Sequence, residues 1–185
     1  MNKIAVLSIL AVISTSYPLH ADGIRPIGPH RPGIYLSTDA TNPTELVAIE
    51  PMAGIQRSSG DPDSTAFTVE IPNAHARTET TEARPTFYFF VNPAIHISLA
   101  EFSLVKFAAR SRQRKANYGT FKASSTHTSI GMPFRVNNVG AGVYEVRPEN
   151  ALRPGEYGFV CDFSLATGAA EILNVFDFSV SKPAT

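Results

Sequence analysis

A run of basic side chains between Lys106 and Lys115 is the part of this sequence whose residue types point most directly to chemistry. The run contains Lys106, Arg110, Arg112, Arg114 and Lys115. If it forms a strand, alternate residues project to the same side, so the guanidinium groups of the three arginines would form a ladder. Guanidinium groups bind phosphate, sulfate and carboxylate through paired N–H donors. The pattern therefore predicts a ligand-binding site for an anionic glycan or another phosphate-bearing surface.

The same charges also have a structural explanation, because charged side chains on an exposed strand keep it from pairing with another chain. Over the whole chain, 16 Lys and Arg residues balance 16 Asp and Glu residues. This balance argues against a general nucleic-acid-binding protein. We therefore expect no specific nucleic-acid partner.

Other residues that could carry chemistry do not form a recognisable motif. The histidines that follow residue 21 have no second ligand at zinc spacing. Asp61 and Asp63 have a calcium-like spacing, but the glycine and the distal glutamate that close such a loop are missing. Ser103 and Lys106 match a Ser-x-x-Lys pattern only in letters, because alternation along a strand sends them to opposite faces. We expect no catalytic residue, no metal and no cofactor.

The chain begins with the features of a secretory signal. A basic start at Met1–Lys3 precedes an apolar run at Ile4–Ile13, which is shorter than the roughly 20 residues that cross a bilayer. Residues 1–21 are predicted as a signal peptide, which implies a periplasmic or secreted protein. Residues 22–32 are predicted as an extended, proline-rich lead-in and residues 183–185 as a short tail.

Short strands are the elements that would position these side chains. Runs such as residues 66–71 and 172–180 alternate apolar and polar positions, and Gly, Asn and Pro separate such runs. Residues 86–91 are apolar on both faces, which is typical of a central strand, whereas the polar residues 57–65 indicate a loop. About nine such strands without alternating helices predict an all-β, antiparallel β-sandwich of the immunoglobulin-like type. A single domain over residues 33–182 would contain them.

A Pro-Gly turn before Tyr157 predicts how one strand enters the core. In immunoglobulin-like sandwiches, a tyrosine at such a corner bonds its hydroxyl back to the backbone of the turn. From there, alternation places four side chains on one face: Tyr157, Phe159, Cys161 and Phe163. The only cysteine of the chain, Cys161, is therefore predicted to be buried rather than reactive.

Several segments within residues 84–180 resemble a group of exported bacterial proteins that share a PGEY-type corner and a terminal phenylalanine-rich strand. These segments are RPTFYFF, PFRV, GVYEVRP, ALRPGEYGFV and VFDFSV. The resemblance implies an exported location and a β-sandwich, and it implies no activity. We expect a non-catalytic exported binding or structural module of the cell envelope. The alternatives are a hydrolase with a loop-assembled site and an assembly subunit that exchanges a strand with a partner.

Overall fold

The computed structural model describes most of the chain after the predicted lead-in. The described residues are 31–39, 45–61, 64–92, 99–122, 125–129, 131–140, 142–161 and 172–182. The predictions for residues 1–21 and 183–185, for residues 22–30 of the lead-in, and for Asp63 and Phe163 lie outside these ranges.

The described residues form thirteen strands and one short 3₁₀ turn at Leu99–Glu101. The strands are β1 (Gly33–Ser37), β2 (Leu46–Ile49), β3 (Pro51–Asp61), β4 (Ser64–Pro72), β5 (Thr78–Thr80), β6 (Phe87–Phe90), β7 (Phe102–Ala109), β8 (Gln113–Lys122), β9 (Ser125–Ser129), β10 (Phe134–Gly140), β11 (Val143–Pro148), β12 (Gly155–Cys161) and β13 (Ile172–Val180). The predicted all-β class is confirmed. Within these ranges, no helix has the length and apolar character needed to cross a membrane.

The smaller sheet has five antiparallel strands in the order β10-β11-β6-β1-β2. Its middle strand is β6, where Phe87 and Phe89 are fully buried and Tyr88 is almost fully buried. The prediction of a central strand over residues 86–91 is therefore confirmed for this sheet. The continuous apolar sequence identified β6 as a central strand because both faces of this strand are covered.

The larger sheet closes on itself. Its strands follow the order β12-β7-β8-β4-β3-β13, and β13 pairs with β12 to complete a six-stranded antiparallel barrel. Strand β5 adds to β13 in parallel and β9 adds to β8. The second layer is thus a barrel rather than the open sheet of the predicted sandwich. Closure removes two sheet edges that would otherwise present unpaired backbone groups.

Two apolar cores result, and β12 contributes to both. Tyr157, Phe159 and Cys161 lie in the core between the smaller sheet and the barrel, whereas Val160 lies inside the barrel with Val175. Cys161 is 1% exposed, so its predicted burial is confirmed. Because both faces of β12 are buried, alternation along this strand separates two cores rather than core from solvent.

The polar residues 57–65, predicted as a loop, belong mainly to strands. β3 continues to Asp61 and β4 begins at Ser64, with the two residues paired in register. The ladder satisfies backbone donors and acceptors whatever the side chains are, so polar residues can extend a hairpin that composition alone would end. The prediction of a loop here was wrong for that reason.

Two turns with the same five-residue pattern, Arg-Pro-Gly-x-Tyr, lead into strands of the two layers. The Tyr157 hydroxyl donates a hydrogen bond to the carbonyl oxygen of Arg153 at 2.7 Å. The Tyr35 hydroxyl donates to the carbonyl oxygen of Arg31 at 3.2 Å. The predicted tyrosine corner at Tyr157 is confirmed. The corner at Tyr35 was missed, although the repeated pattern is visible in the sequence.

Candidate functional site

The structure separates the arginines that were predicted to form a ladder. Arg110 and Arg112 are exposed in the turn between β7 and β8, where the Arg110 N–H donates to the carbonyl oxygen of Gln113 at 2.8 Å. Arg114 is 0% exposed. Strand β8 begins only at Gln113, so the alternation that we assumed does not extend back to the other two arginines. The three guanidinium groups therefore do not share an exposed face.

The two lysines of the predicted site have separate surroundings. The exposed Lys106 places its ammonium nitrogen 5.6 Å from the ring centroid of Tyr157. The ammonium nitrogen of Lys115 lies 3.2 Å from Glu70 Oε1, and Arg57 Nε donates to Glu70 Oε2 at 2.8 Å. The hydrogen bond from Arg57, followed by that from Lys115, lowers the pKa of Glu70 below its usual range. Anion binding therefore stays a prediction that concerns mainly the exposed turn arginines.

Arg114 instead forms a buried ionic cluster inside one end of the barrel. Its Nη1 donates to Glu156 Oε2 at 3.0 Å, its Nη2 donates to Asp177 Oδ2 at 2.6 Å, and its Nε donates to the carbonyl oxygen of Asn73 at 3.0 Å. The guanidinium carbon lies 5.8 Å from the ring centroid of Phe107. Each guanidinium nitrogen thus has a protein acceptor, so this group contributes to structure rather than to ligand binding.

Three strands and one turn position this cluster. Arg114, Glu156 and Asp177 lie on β8, β12 and β13, and alternation directs all three side chains into the barrel. Asn73 follows β4 with a φ of 67°, a left-handed conformation that asparagine tolerates better than most residues. The turn after β4 can therefore bring a backbone carbonyl to the guanidinium group.

His75 connects the cluster to the surface. Its Nδ1 lies 3.1 Å from Glu156 Oε1, and its side chain is 81% exposed. The backbone N–H of Ala76 donates to Glu156 Oε2 at 2.9 Å. The sequence had given His75 no partner, because 81 residues separate it from Glu156. In the part of the chain that the structure describes, no three His, Cys, Asp or Glu side chains converge as a metal site would require.

A cleft of about 340 Å³ opens at one end of the core between the two layers. Phe89 and Phe102 form its floor, with ring centroids 5.1 Å apart in an edge-to-face contact. Tyr35 and Phe90 form a second edge-to-face pair at its rim, with centroids 5.2 Å apart. Phe176 completes the aromatic lining and is only half-buried. The half-buried Phe90 and Phe176 are therefore the aromatic side chains of the lining that are most accessible to an occupant.

Among the residues that the structure describes, four with polar side chains lie around this aromatic lining: Arg31, Glu50, Asn92 and Asn174. Arg31 and Glu50 are exposed and carry opposite charges, so the described part of the rim has no dominant sign of charge. The lining comes from β1, β2, β3, β6, β7 and β13 and from the residues that flank them. Sequence reasoning missed the cleft because these segments are far apart along the chain.

No family of known proteins, no curated protein and no solved structure matches this chain. The residues of the cleft and of the basic turn are therefore the basis for a functional assignment.

Proposed function

We propose that this chain is a non-catalytic exported binding module whose ligand occupies the cleft between the smaller sheet and the barrel. The observation that carries the proposal is the aromatic cleft itself. Its volume of about 340 Å³ lies within the range of roughly 300–1,000 Å³ that is usual for small-molecule sites. Such sites are mostly apolar and have a few polar groups that orient the ligand.

The lining favours a neutral ligand that contains a ring. Aromatic rings contribute large contact areas with defined geometry, and two asparagines can supply both hydrogen-bond donors and acceptors. The opposite charges of Arg31 and Glu50 give no net preference for an anion or a cation. A sugar ring or a small aromatic compound has the chemistry that this lining would recognise.

Two finer assignments belong to the same proposal. The tyrosine corner at Tyr157 supports an immunoglobulin-like relationship, in which one layer of a β-sandwich has closed into a barrel. Location in the periplasm or outside the cell rests on the signal-like residues 1–21. Exchange of the final strand with a partner is less favoured, because β13 already pairs with β12 and β3 along its edges.

Blocking the cleft tests the proposal. Ala48 is exposed on β2 and lines the cleft, so Ala48→Trp should fill it with little cost to the fold. Saturation-transfer NMR with neutral mono- and disaccharides and small aromatic compounds should show binding to the unchanged protein and its loss in Ala48→Trp. The matched control is Ala109→Trp, at an exposed position near the end of β7.

Binding that survives in Ala48→Trp would place the ligand elsewhere, and binding lost equally in Ala109→Trp would indicate a non-specific effect. If no probe binds to the unchanged protein, the proposal that the ligand is neutral and contains a ring is wrong.

The exposed arginines of the β7–β8 turn support a second interaction, with an anionic glycan or a phosphate-bearing surface. Arg110 and Arg112 lie close together in one short turn and can approach the same anion. Retention on heparin should fall as salt rises, because the Debye length shortens to roughly 10 Å at 0.1 M. Arg110→Glu/Arg112→Glu should abolish retention at low salt, and equal retention of both proteins would exclude this interaction.

A further inference from the structure

Strand β10 forms an exposed edge of the smaller sheet. Among the described strands it pairs only with β11, and its seven residues make it longer than the other edge strand, β2, which has four. The residues from Arg135 to Asn138 are exposed, including Val136, which is 38% exposed. A strand edge of this kind presents unpaired backbone groups to another chain.

The hydrogen-bond pattern shows which backbone groups point outward. The N–H of Glu149 donates to the carbonyl oxygen of Pro133 at 3.0 Å, so this pair begins the hydrogen-bonded series of the β10–β11 ladder. Hydrogen-bonded pairs alternate in an antiparallel ladder. The N–H and C=O groups of Phe134, Val136 and Asn138 therefore point away from β11, toward the open edge.

We propose that β10 pairs in antiparallel orientation with β10 of a second copy of this chain, with the two-fold axis at Val136. This register places Val136 opposite its own copy and Phe134 opposite Asn138. Three residues on each copy each contribute one N–H and one C=O, so the register forms six hydrogen bonds across the axis. Every outward-pointing group of these three residues finds a partner.

The side chains are compatible with the same register. The two exposed Val136 side chains meet on the face that points toward the core, and each shields the other from water. On the opposite face, Arg135 lies across from Asn137 of the second copy, so no like charges oppose each other. Arg135 is the only charged residue of the strand and therefore does not prevent the pairing.

The result is a continuous ten-stranded sheet made from the five-stranded sheets of two copies. A single pair of strands buries less surface than a standard stable interface, which is about 1,200–2,000 Å². The dimer is therefore concentration-dependent, and local crowding at a surface would favour it by mass action.

Sedimentation velocity over a range of protein concentrations tests the association, with protein expressed from the full coding sequence. The unchanged protein should shift from monomer toward dimer as its concentration rises. Val136→Lys should remove the dimer, because it places two ammonium groups at the axis. The matched control is Val47→Lys, a similarly exposed valine (44%) on the other edge strand, β2, which should leave association unchanged.

A disulfide tests the register without changing Val136. In the double variant Arg135→Cys/Asn137→Cys, each new cysteine faces its counterpart across the axis in a non-hydrogen-bonded pair, so mild oxidation should give a covalent dimer. The single variants place like cysteines too far apart and should stay monomeric.

The proposal is overturned if the unchanged protein stays monomeric at all concentrations. It is also overturned if Val47→Lys loses as much dimer as Val136→Lys. The proposed register is wrong if either single cysteine variant forms the covalent dimer as efficiently as the double variant does. Equal thermal midpoints of the two lysine variants show that the comparison does not reflect unfolding.

Discussion

Arg112 and Arg114 are two positions apart and have opposite surroundings, which shows how strongly position decides what a charged residue does. Arg112 is exposed in a turn, whereas Arg114 is enclosed in the barrel with Glu156 and Asp177. A buried charge is tolerated only when hydrogen-bonded partners of opposite charge replace the water that it loses. The cluster therefore fixes the arrangement of three strands at one end of the barrel.

Removing the guanidinium group should be strongly destabilising. We expect Arg114→Met to lower the free energy of unfolding by about 3–5 kcal/mol, because it removes the guanidinium group that pairs with the buried carboxylates of Glu156 and Asp177. Urea denaturation measures the change. Arg112→Met is the control and should change stability by less than about 0.5 kcal/mol, because surface substitutions usually cost little.

Neutralising the whole cluster separates the loss of the charge pair from the loss of packing. The triple variant Arg114→Met/Glu156→Gln/Asp177→Asn should recover part of the stability that the single variant loses, because it leaves no unpaired buried charge. A triple variant less stable than Arg114→Met would show that packing of the arginine side chain, rather than its charge, dominates.

The tyrosine corner gives a second prediction for a single residue. Tyr157→Phe removes the 2.7 Å hydrogen bond to the Arg153 carbonyl oxygen and keeps the ring, so we expect a loss of about 0.5–1.5 kcal/mol in unfolding free energy. Tyr35→Phe should lose less, because its bond is longer at 3.2 Å. Equal stability of Tyr157→Phe and the unchanged protein in thermal denaturation would contradict this.

Among the elements, β3 shows how little space the barrel interior offers. A side chain at Gly54 would place its Cβ 2.6 Å from Val69 Cγ2 and 2.9 Å from Val175 Cγ2. These are branched side chains in a buried cluster and have little room to shift. A glycine is therefore required where β3 approaches the strands on either side of it.

We expect Gly54→Ala to destabilise the protein by about 1–3 kcal/mol through overpacking. Gly33→Ala is the control, because its Cβ would lie 3.4 Å from the Tyr35 ring, which is an ordinary contact. Chemical denaturation of the two variants measures the difference. A Gly54→Ala variant as stable as Gly33→Ala would show that the neighbouring valines can move aside.

For the whole molecule, barrel closure limits where another chain could add to the structure. In the part of the chain that the structure describes, β12 and β13 pair with each other, so the larger sheet has the short β5 and β9 as its outer strands, and β10 is the longest outer strand of the two sheets. In the exported location that we propose, covered edges would resist unwanted pairing although the single cysteine of the chain cannot form an internal disulfide. The location itself rests on the first residues of the chain.

Export predicts a shortened mature chain. Mass spectrometry of the protein isolated from its native host should show a start near Asp22, because the predicted signal ends at Ala21. The periplasmic or culture fraction should contain this form. Intact protein that begins at Met1 in the cytoplasmic fraction would contradict export.

The sequence by itself determined the local features of this protein. Alternation placed Tyr157, Phe159 and Cys161 on one buried face, and a continuous apolar run identified β6 as a central strand. These features depend on the period-two geometry of a strand and on a turn only a few residues away. Each can be recognised without knowing which strands pair.

Only the tertiary structure decided the closure of the barrel, the burial of Arg114 and the cleft. Alternation shows that two side chains share a face of a strand. It does not show whether that face is exposed to solvent, lies in the core between the two layers or lies inside the barrel. Arg114 meets its carboxylate partners across 42 and 63 residues of chain, and the cleft combines six strands. Strand pairing over such separations is set by the packing of the whole chain, because the backbone ladder that joins two strands carries little information about which side chains they present.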